Sequence, residues 1–211
     1  MEAGLKAITG TGPRERLLVA AIKLFASKGY SGTSVREIVE AAGLTKPALY
    51  YYFHSKEGVF RAMMQEAVAV HRAVMDEVRR AGGSASDRIL LLCERVYRTV
   101  LDNIEAVRVI DAIYYGPREE APEFDFGQLH GEFDAFLRGL VEEAIATGEF
   151  PRGDIESTVL ALDGGFIAAK TSASGRCRPE GPIAPEDLRR VMGIILNGIR
   201  MRPEGRPEEH P

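Results

Sequence analysis

The side chains best suited to contact another molecule lie on two short predicted helices between Thr33 and Phe60. They are short, hydroxyl-bearing or cationic, and they occupy the faces that the apolar positions leave free: Arg36, Thr45, Lys46, Ala48, Tyr50 and Tyr51. A lysine can donate to guanine, an alanine can touch a thymine methyl group, and a tyrosine hydroxyl can donate to phosphate. These residue types in this arrangement predict contact with DNA.

Two helices across a glycine turn are predicted to position these side chains. Ser34 and Glu37 have capping-box spacing, in which each side chain satisfies a backbone donor at the start of a helix. Gly43 suits the left-handed turn that ends this helix. Thr45 can cap the second helix, and Pro47 is tolerated in its first turn. The layout is that of a helix-turn-helix whose second helix reads DNA.

Over roughly Arg14 to Met64 the chain resembles the TetR family of bacterial transcriptional regulators. The shared order is a long helix, a short helix, a glycine turn, a recognition helix ending in tyrosines, and a lysine, Lys56, opening the fourth helix. The resemblance implies an all-α fold of about nine helices, with an N-terminal three-helix helix-turn-helix domain and a C-terminal helical domain for effector binding and dimerisation. Gly58 departs from the usual pattern and is expected to weaken helix four by about 1 kcal/mol relative to Ala.

Different parts of the helix-turn-helix have different expected roles. The first residues of the recognition helix should face base edges, with Lys46 as the sharpest candidate. Lys56 begins helix four, where free backbone donors favour an anion, and it is expected to anchor a phosphate. For Arg36, a solvated surface arginine is an equally good interpretation. The expected DNA contacts are Ser34, Arg36, Thr45, Lys46, Pro47, Ala48, Tyr50, Tyr51 and Lys56, whereas Tyr52 and Phe53 are expected in the core.

The charge distribution supports this interpretation. The chain of 211 residues has a net charge of −4, but residues 1–56 carry 8 Lys+Arg and 4 Asp+Glu, a balance of +4. The remainder therefore holds 27−8=19 basic and 31−4=27 acidic residues, a balance of −8. Such asymmetry would turn the basic end towards DNA. Without a long apolar run or a signal-peptide pattern, the chain is expected to be soluble and cytoplasmic, with Cys93 and Cys177 as free thiols.

The rest of the chain also has helical periodicity, and no period-2 strand pattern occurs. Helix four should be long enough to link two domains. Helices four, six and seven are predicted over Ser55–Arg80, Glu105–Tyr115 and Leu129–Thr147, and helix eight from the cap Asp154 to about Ser174. The predicted domains are residues 1–56 for DNA binding, with a mobile N-terminal arm, and 57–202 for ligand binding and dimerisation, followed by a disordered tail, 203–211.

Helices eight and nine are predicted to form a homodimer interface. Helix nine carries an apolar stripe at helical spacing, and helix eight has small residues that would allow close approach of four helices from two chains. The alternative is that the stripe packs only within its own chain. The predicted interface residues are Gly165, Ala168, Leu188, Met192, Ile195 and Ile199.

Aromatic and polar side chains on helices five to eight predict a cavity for a small molecule. An apolar pocket with a few hydroxyl groups suits a drug-like or lipid-like effector. The candidate lining residues are Cys93, Tyr97, Tyr114, Tyr115, Phe133, Phe136 and Phe166. Aromatic residues at this spacing also occur in ordinary cores. His71 and His130 lack partners at metal-ligand spacing, so no metal is predicted.

Enzymatic functions are poorly supported. The sequence lacks the nucleophile elbow, the phosphate-binding loop, the dinucleotide fingerprint and the zinc-protease motif. No cofactor and no membrane association are predicted. The sequence thus predicts a homodimeric repressor that binds a palindromic double-stranded DNA operator and releases it on binding an effector. The alternative is an architectural or adaptor DNA-binding protein without a small-molecule site.

Overall fold

The computed structural model describes residues 11–116, 122–174 and 182–199, leaving out the side chains of residues 128 and 129. These ranges form nine helices and no strand, which confirms the all-α prediction. The helices are α1 (Pro13–Lys28), α2 (Val35–Ala42), α3 (Lys46–Phe53), α4 (Lys56–Arg80), α5 (Ala85–Asp102), α6 (Ile104–Tyr115), α7 (Phe126–Ala146), α8 (Ile155–Ala173) and α9 (Pro185–Ile199).

Local signals set the ends of the first helices as predicted. The Glu37 N–H donates to Ser34 Oγ at 3.3 Å, and the Ser34 N–H donates to Glu37 Oε2 at 2.8 Å. Gly43 ends α2 in the left-handed conformation, with φ 61° and ψ 41°. Thr45 occupies the N-cap position of α3, but its side chain makes no capping hydrogen bond. The expected capping role of Thr45 is therefore wrong.

Gly58 is required by the junction between α3 and α4. A Cβ atom at this position would overlap the carbonyl oxygen of Phe53, which belongs to the rigid backbone of α3. His54, between the two helices, has φ 64° and turns the chain sharply. The expectation that Gly58 only weakens helix four is therefore incomplete, because a side chain there would push the recognition helix out of place.

Two apolar cores share helix α4. Its first half buries Val59 and Phe60 with α1, α2 and α3, and its second half buries Val74 and Val78 with α5, α7, α8 and α9. Helix α4 therefore contributes to both cores, and the division into two domains stays a prediction. The N-terminal core also takes residues from α6, so it extends beyond the predicted boundary at residue 56.

Tertiary contacts start α7 three residues earlier than predicted. The ring of Phe126 packs edge-on against Tyr114, with centroids 5.3 Å apart, and this contact is not visible in the local sequence. Residues 1–10 of the predicted mobile arm, the predicted tail and Cys177 lie outside the described residues. Among the described helices, none combines the length and apolarity that a membrane span needs.

Candidate DNA interface and effector cavity

One face of the recognition helix α3 packs on the N-terminal core, and the opposite face is exposed. Leu49 and Phe53, four residues apart, are buried in the N-terminal core and set the rotation of the helix. Thr45 and Lys46 are exposed, and the side chain of Tyr51 is 77 % exposed. Pro47 and Tyr50 are also exposed, and Ala48 is partly buried. The predicted DNA-reading residues therefore share one accessible face.

Tyr52 does not lie in the core, contrary to the sequence prediction. It is 37 % exposed and packs edge-on against Tyr51, with ring centroids 4.9 Å apart. The anchoring of α3 by Leu49 and Phe53 turns position 52 towards solvent, because neighbouring helix positions point about 100° apart. Three tyrosines thus surround the outer end of the recognition helix.

Two predicted DNA contacts on and before α2 are engaged within the protein. The Ser34 hydroxyl donates to Glu37 Oε2 at 2.8 Å, so its proton is used in the capping box. Arg36 forms an exposed ion pair with Glu40, with Nε–Oε1 2.7 Å, and the hydrogen bond to Glu40 raises the pKa of the guanidinium. An exposed pair of this kind opens easily, so Arg36 remains able to reach a phosphate.

Lys56 has a structural role that the sequence did not reveal. Its Nζ donates to the carbonyl oxygens of Tyr30 at 3.0 Å and Thr33 at 2.9 Å, and lies 4.2 Å from the centroid of the Tyr30 ring. Burial lowers the pKa of this ammonium group. Because an ammonium has three N–H donors and two are used here, Lys56 mainly ties the loop between α1 and α2 to the start of α4.

Arg16 stabilises the helix-turn-helix, a role that the sequence analysis did not predict. It lies on α1, and its Nη2 donates to the carbonyl oxygens of Ala42 and Gly43, the latter at 3.3 Å. These carbonyls end α2, where helices leave acceptors unsatisfied. An arginine on a predicted helix gives no sign of its distant partner, so only the fold reveals this contact.

A cavity of about 520 Å³ lies between α4, α5, α6, α7 and α8. Four of the seven predicted lining residues border it: Tyr114, Tyr115, Phe133 and Phe166. The lining is mainly apolar, with Val70, Val107 and Ile110 among the other members. A volume of this size suits a small organic ligand.

The other three predicted cavity residues lie elsewhere. Cys93 is buried in the C-terminal core, and burial, followed by the nearby charge of Asp163, raises the pKa of its thiol to about 12. Tyr97 is fully buried and donates to the carbonyl oxygen of Ile183 at 2.8 Å. Phe136 lies below the guanidinium of Arg79, 4.9 Å from the ring centroid. Helical periodicity could not distinguish these core positions from cavity positions.

The cavity also contains polar groups that the sequence analysis missed. Lys170 Nζ lies 3.4 Å from Asp111 Oδ1, and Asp111 is only 1 % exposed. Burial, with a contribution from the Lys170 charge, lowers the pKa of His71 to about 4 and also lowers that of His130. Charged residues inside otherwise apolar helices, such as Asp111 in VIDAIYY, were the signal that could have identified them.

The partly buried His71 predicts a pH dependence of the free energy of unfolding. Its pKa is about 4 in the folded chain and ordinarily about 6.5, so the unfolded chain binds the extra proton between these values. The free energy of unfolding should therefore fall by about 2 to 3 kcal/mol as the pH drops from 6.5 to 4. In His71→Phe this part of the decline should disappear, as urea unfolding at several pH values would show. An unchanged pH profile in the variant would contradict this assignment.

The predicted dimer residues mostly pack within their own chain. Leu188 and Met192 are fully buried, and a Cβ atom on Gly165 would lie 2.5 Å from Ile195 Cδ1, so the α9 stripe faces α8 of the same chain. Ile199 is partly buried against the same core. Of the predicted set, only Ala168 is exposed. Leu188 and Met192 therefore pack within their own chain, as the alternative interpretation expected, whereas the interface role of Ala168 stays a prediction.

A different face of α8 and α9 remains open. It carries large apolar side chains, with Leu160 72 % and Ile194 68 % exposed, together with Ile167 and Val191. Gly164 and Gly198 lie on the same face, and a Cβ atom on either would meet nothing within 4 Å. We call the six residues Leu160, Gly164, Ile167, Val191, Ile194 and Gly198 the outer face. Contiguous exposed apolar surface of this kind marks an interaction site.

The fold and the exposed recognition helix define a DNA-binding regulator, and comparisons with known proteins identify its family. The model of the bacterial regulatory proteins, tetR family, matches residues 17–63. A TetR/AcrR-family regulator from Thermobifida fusca YX-ER1, known from its crystal structure, has 30 % sequence identity to this chain and a TM-score of 0.66. The alignment covers 89 % of this chain and 98 % of that protein's chain. The chain belongs to the TetR family of bacterial transcriptional regulators.

Other similar proteins cover nearly the whole chain. The HTH-type transcriptional repressor KstR2 of Rhodococcus jostii (strain RHA1) is 27 % identical over 90 % of this chain and 92 % of that protein. The structure of the ketosteroid transcriptional regulator KstR2 of Mycobacterium tuberculosis has a TM-score of 0.73, at 19 % identity, over 92 % of this chain and 97 % of that one. The likeness therefore includes the C-terminal domain as well as the helix-turn-helix.

Proposed function

We propose that the chain is a homodimeric repressor that binds a palindromic operator through α3 and releases it when a small molecule occupies the cavity. The similarity to KstR2, a named repressor, supports the direction of regulation. A related fold, FadR of Bacillus subtilis, was solved in complex with stearoyl-CoA, so this architecture can bind a ligand with a long acyl chain. The outer face supplies the surface on which a second copy would pack.

The observation that carries the proposal is the position of helix α6. Its residues Ala106 and Val109 are buried in the N-terminal core, beside α1. On the same helix, Val107, Ile110 and Asp111 line the cavity. A ligand that moves α6 must therefore disturb the packing under the helix-turn-helix, since close-packed cores transmit small shifts.

Helix α4 provides a second connection. Val70 and His71 line the cavity, while Met63 and Met64, two turns earlier, are buried in the N-terminal core. The sequence predicted that helix four links two domains, but it did not point to α6, whose two faces are both apolar. Both α4 and α6 line the cavity and also pack in the N-terminal core. A ligand that moves them would change the spacing of the two recognition helices in a dimer.

The test is reciprocal binding between the effector and the operator. Footprinting on DNA from the chain's own genomic neighbourhood would supply the operator, and a ligand screen by thermal shift would supply the effector. If the effector weakens operator binding a hundredfold, the coupling is about 2.7 kcal/mol, and saturating operator must weaken effector binding by the same factor. Calorimetric titration with and without operator measures this.

Matched variants on α6 sharpen the test. Val107→Phe should fill part of the cavity and weaken effector binding, whereas Ala112→Phe, on the same helix but outside the cavity, should not. Equal effector affinity with and without operator would contradict release by the ligand. That result would instead favour an architectural or adaptor DNA-binding protein.

A further inference from the structure

The side chain of Asp163 is a carboxyl group in the cavity wall that has no ion-pair partner among the described residues. It lies on α8 and is partly buried among the lining residues. It makes no hydrogen bond and no ion pair with any residue in the described ranges. Burial, and to a smaller extent the charge of Asp134, raises the pKa of this carboxyl group above its usual range. A carboxylate held in an apolar wall without a partner favours a ligand that brings one.

The other charges of the cavity leave a negative excess. Among the described residues, three carboxylates line it, those of Asp111, Asp134 and Asp163, against one ammonium group, that of Lys170. Lys170 lies 3.4 Å from Asp111, and Asp134 pairs with Arg138 at 3.2 Å, so neither cation forms an ion pair with Asp163. The charge of Lys170 acts on Asp163 from a longer distance and partly offsets the rise in the pKa of its carboxyl group. The lowered pKa values of both lining histidines leave them neutral at pH 7.

Asp111 adds a second acceptor without a partner. Its Oδ2 is buried and receives no hydrogen bond from the described residues, while only its Oδ1 faces Lys170. A buried acceptor that lacks a donor costs free energy, and a small rotation of the carboxylate would present it to a donor in the cavity. Asp163 and the Oδ2 atom of Asp111 therefore both favour a ligand that carries a hydrogen-bond donor, and neither would accept an anion.

Aromatic rings surround the same space. Phe133 and Phe166 stack with their centroids 5.9 Å apart, and Tyr114 packs edge-on against His130 at 4.8 Å. The face of an aromatic ring attracts a cation within about 6 Å, most strongly where water is excluded. Ring faces and an unpaired carboxylate in one apolar cavity together select positive charge on an apolar body.

We propose that the cavity binds a hydrophobic amine, whose protonated nitrogen pairs with Asp163 while its apolar body lies against Phe133, Phe166 and Ile110. This inference rests on the proposed function, because it names the chemical class of the effector. The cavity then differs from one for a fatty acyl anion, which would face the carboxyl group of Asp163. Among the described lining residues, Lys170 alone could receive such an anion, and it would have to leave Asp111.

Two matched sets of probes test the charge preference: decylamine, decanol and decanoate, and 1-naphthylmethylamine, 1-naphthylmethanol and 1-naphthoate. Each set shares one apolar body and differs in the polar group. Calorimetry at pH 7 should find the amine of at least one set bound about tenfold more tightly than its alcohol, with the carboxylate weakest. The operator complex should dissociate in the same order.

Variants locate the charge that is responsible. Asp163→Asn should lower amine affinity about tenfold and leave alcohol affinity unchanged, because only the ionic contact is lost. Asp102→Asn is the matched control, since Asp102 is exposed at the end of α5 and does not line the cavity. It should change neither affinity. The thermal stability of the ligand-free variants shows that both are folded.

Three results would overturn the inference: tighter binding of a carboxylate or a fatty acyl-CoA than of either amine, equal amine affinity in Asp163→Asn, or no binding of either amine. If an acyl anion released the operator, the proposed function would stand and only the ligand class would be wrong. If the amines bound through Asp163 without affecting operator binding, the ligand class would stand and the proposed release mechanism would fail.

Discussion

Replacing Ile194 with aspartate should turn the dimer into a folded monomer and lower operator affinity by at least about a hundredfold. Ile194 is 68 % exposed in the single chain, so the substitution leaves the protomer's own core intact. In a dimer through the outer face, the new charge would be buried without a partner, which is strongly unfavourable. A monomer has one recognition helix instead of two, so it loses the increase in operator affinity that two linked binding sites give, commonly 10²- to 10⁴-fold.

Sedimentation and operator titration of the same samples would measure both effects. Leu188→Asp is the informative contrast, because Leu188 is fully buried in its own chain and the substitution should prevent folding instead of dissociating a dimer. Ala135→Asp adds the same charge on α7 outside the outer face and should remain dimeric. A dimeric Ile194→Asp protein at micromolar concentration would show that the interface lies elsewhere.

Replacing Lys46 with alanine should weaken operator binding and relax base preference at one position in each half-site. Lys46 is exposed on the first turn of α3, and it makes no hydrogen bond or ion pair with the other described residues. A side chain that reads a base is worth about 1 to 3 kcal/mol per half-site. In a dimer both recognition helices lose the contact, so the effect on the whole operator should be about twice as large.

Binding-site selection with the variant protein measures base preference directly. Lys56→Ala serves as the contrast, because the Lys56 ammonium group donates to the carbonyl oxygens of Tyr30 and Thr33. Its loss should lower the thermal stability of the N-terminal domain and weaken the binding of all DNA sequences alike. The fold of Lys46→Ala should be unchanged. Recovery of the wild-type sequence preference by Lys46→Ala would show that Lys46 contacts only the DNA backbone.

Features that depend on near neighbours in the chain were predictable from the sequence. The capping box of Ser34 and Glu37 closes within one helical turn, and Gly43 takes the left-handed conformation that the turn between α2 and α3 requires. The apolar face of α9 follows from residue spacing alone. These local rules were enough to predict the helix-turn-helix, the exposed recognition residues and most helix ends.

Only the tertiary structure determined which segments of the chain each side chain contacts. Periodicity showed that Leu188 and Met192 are apolar on one face, but not that α8 of the same chain covers them and leaves Ile194 outside. Likewise, Lys56 looked free to bind phosphate until the fold brought the carbonyl of Tyr30, 26 residues away, to its ammonium group. Spacing along a helix determines which side chains share a face, whereas the contacts of that face depend on packing between segments distant in sequence.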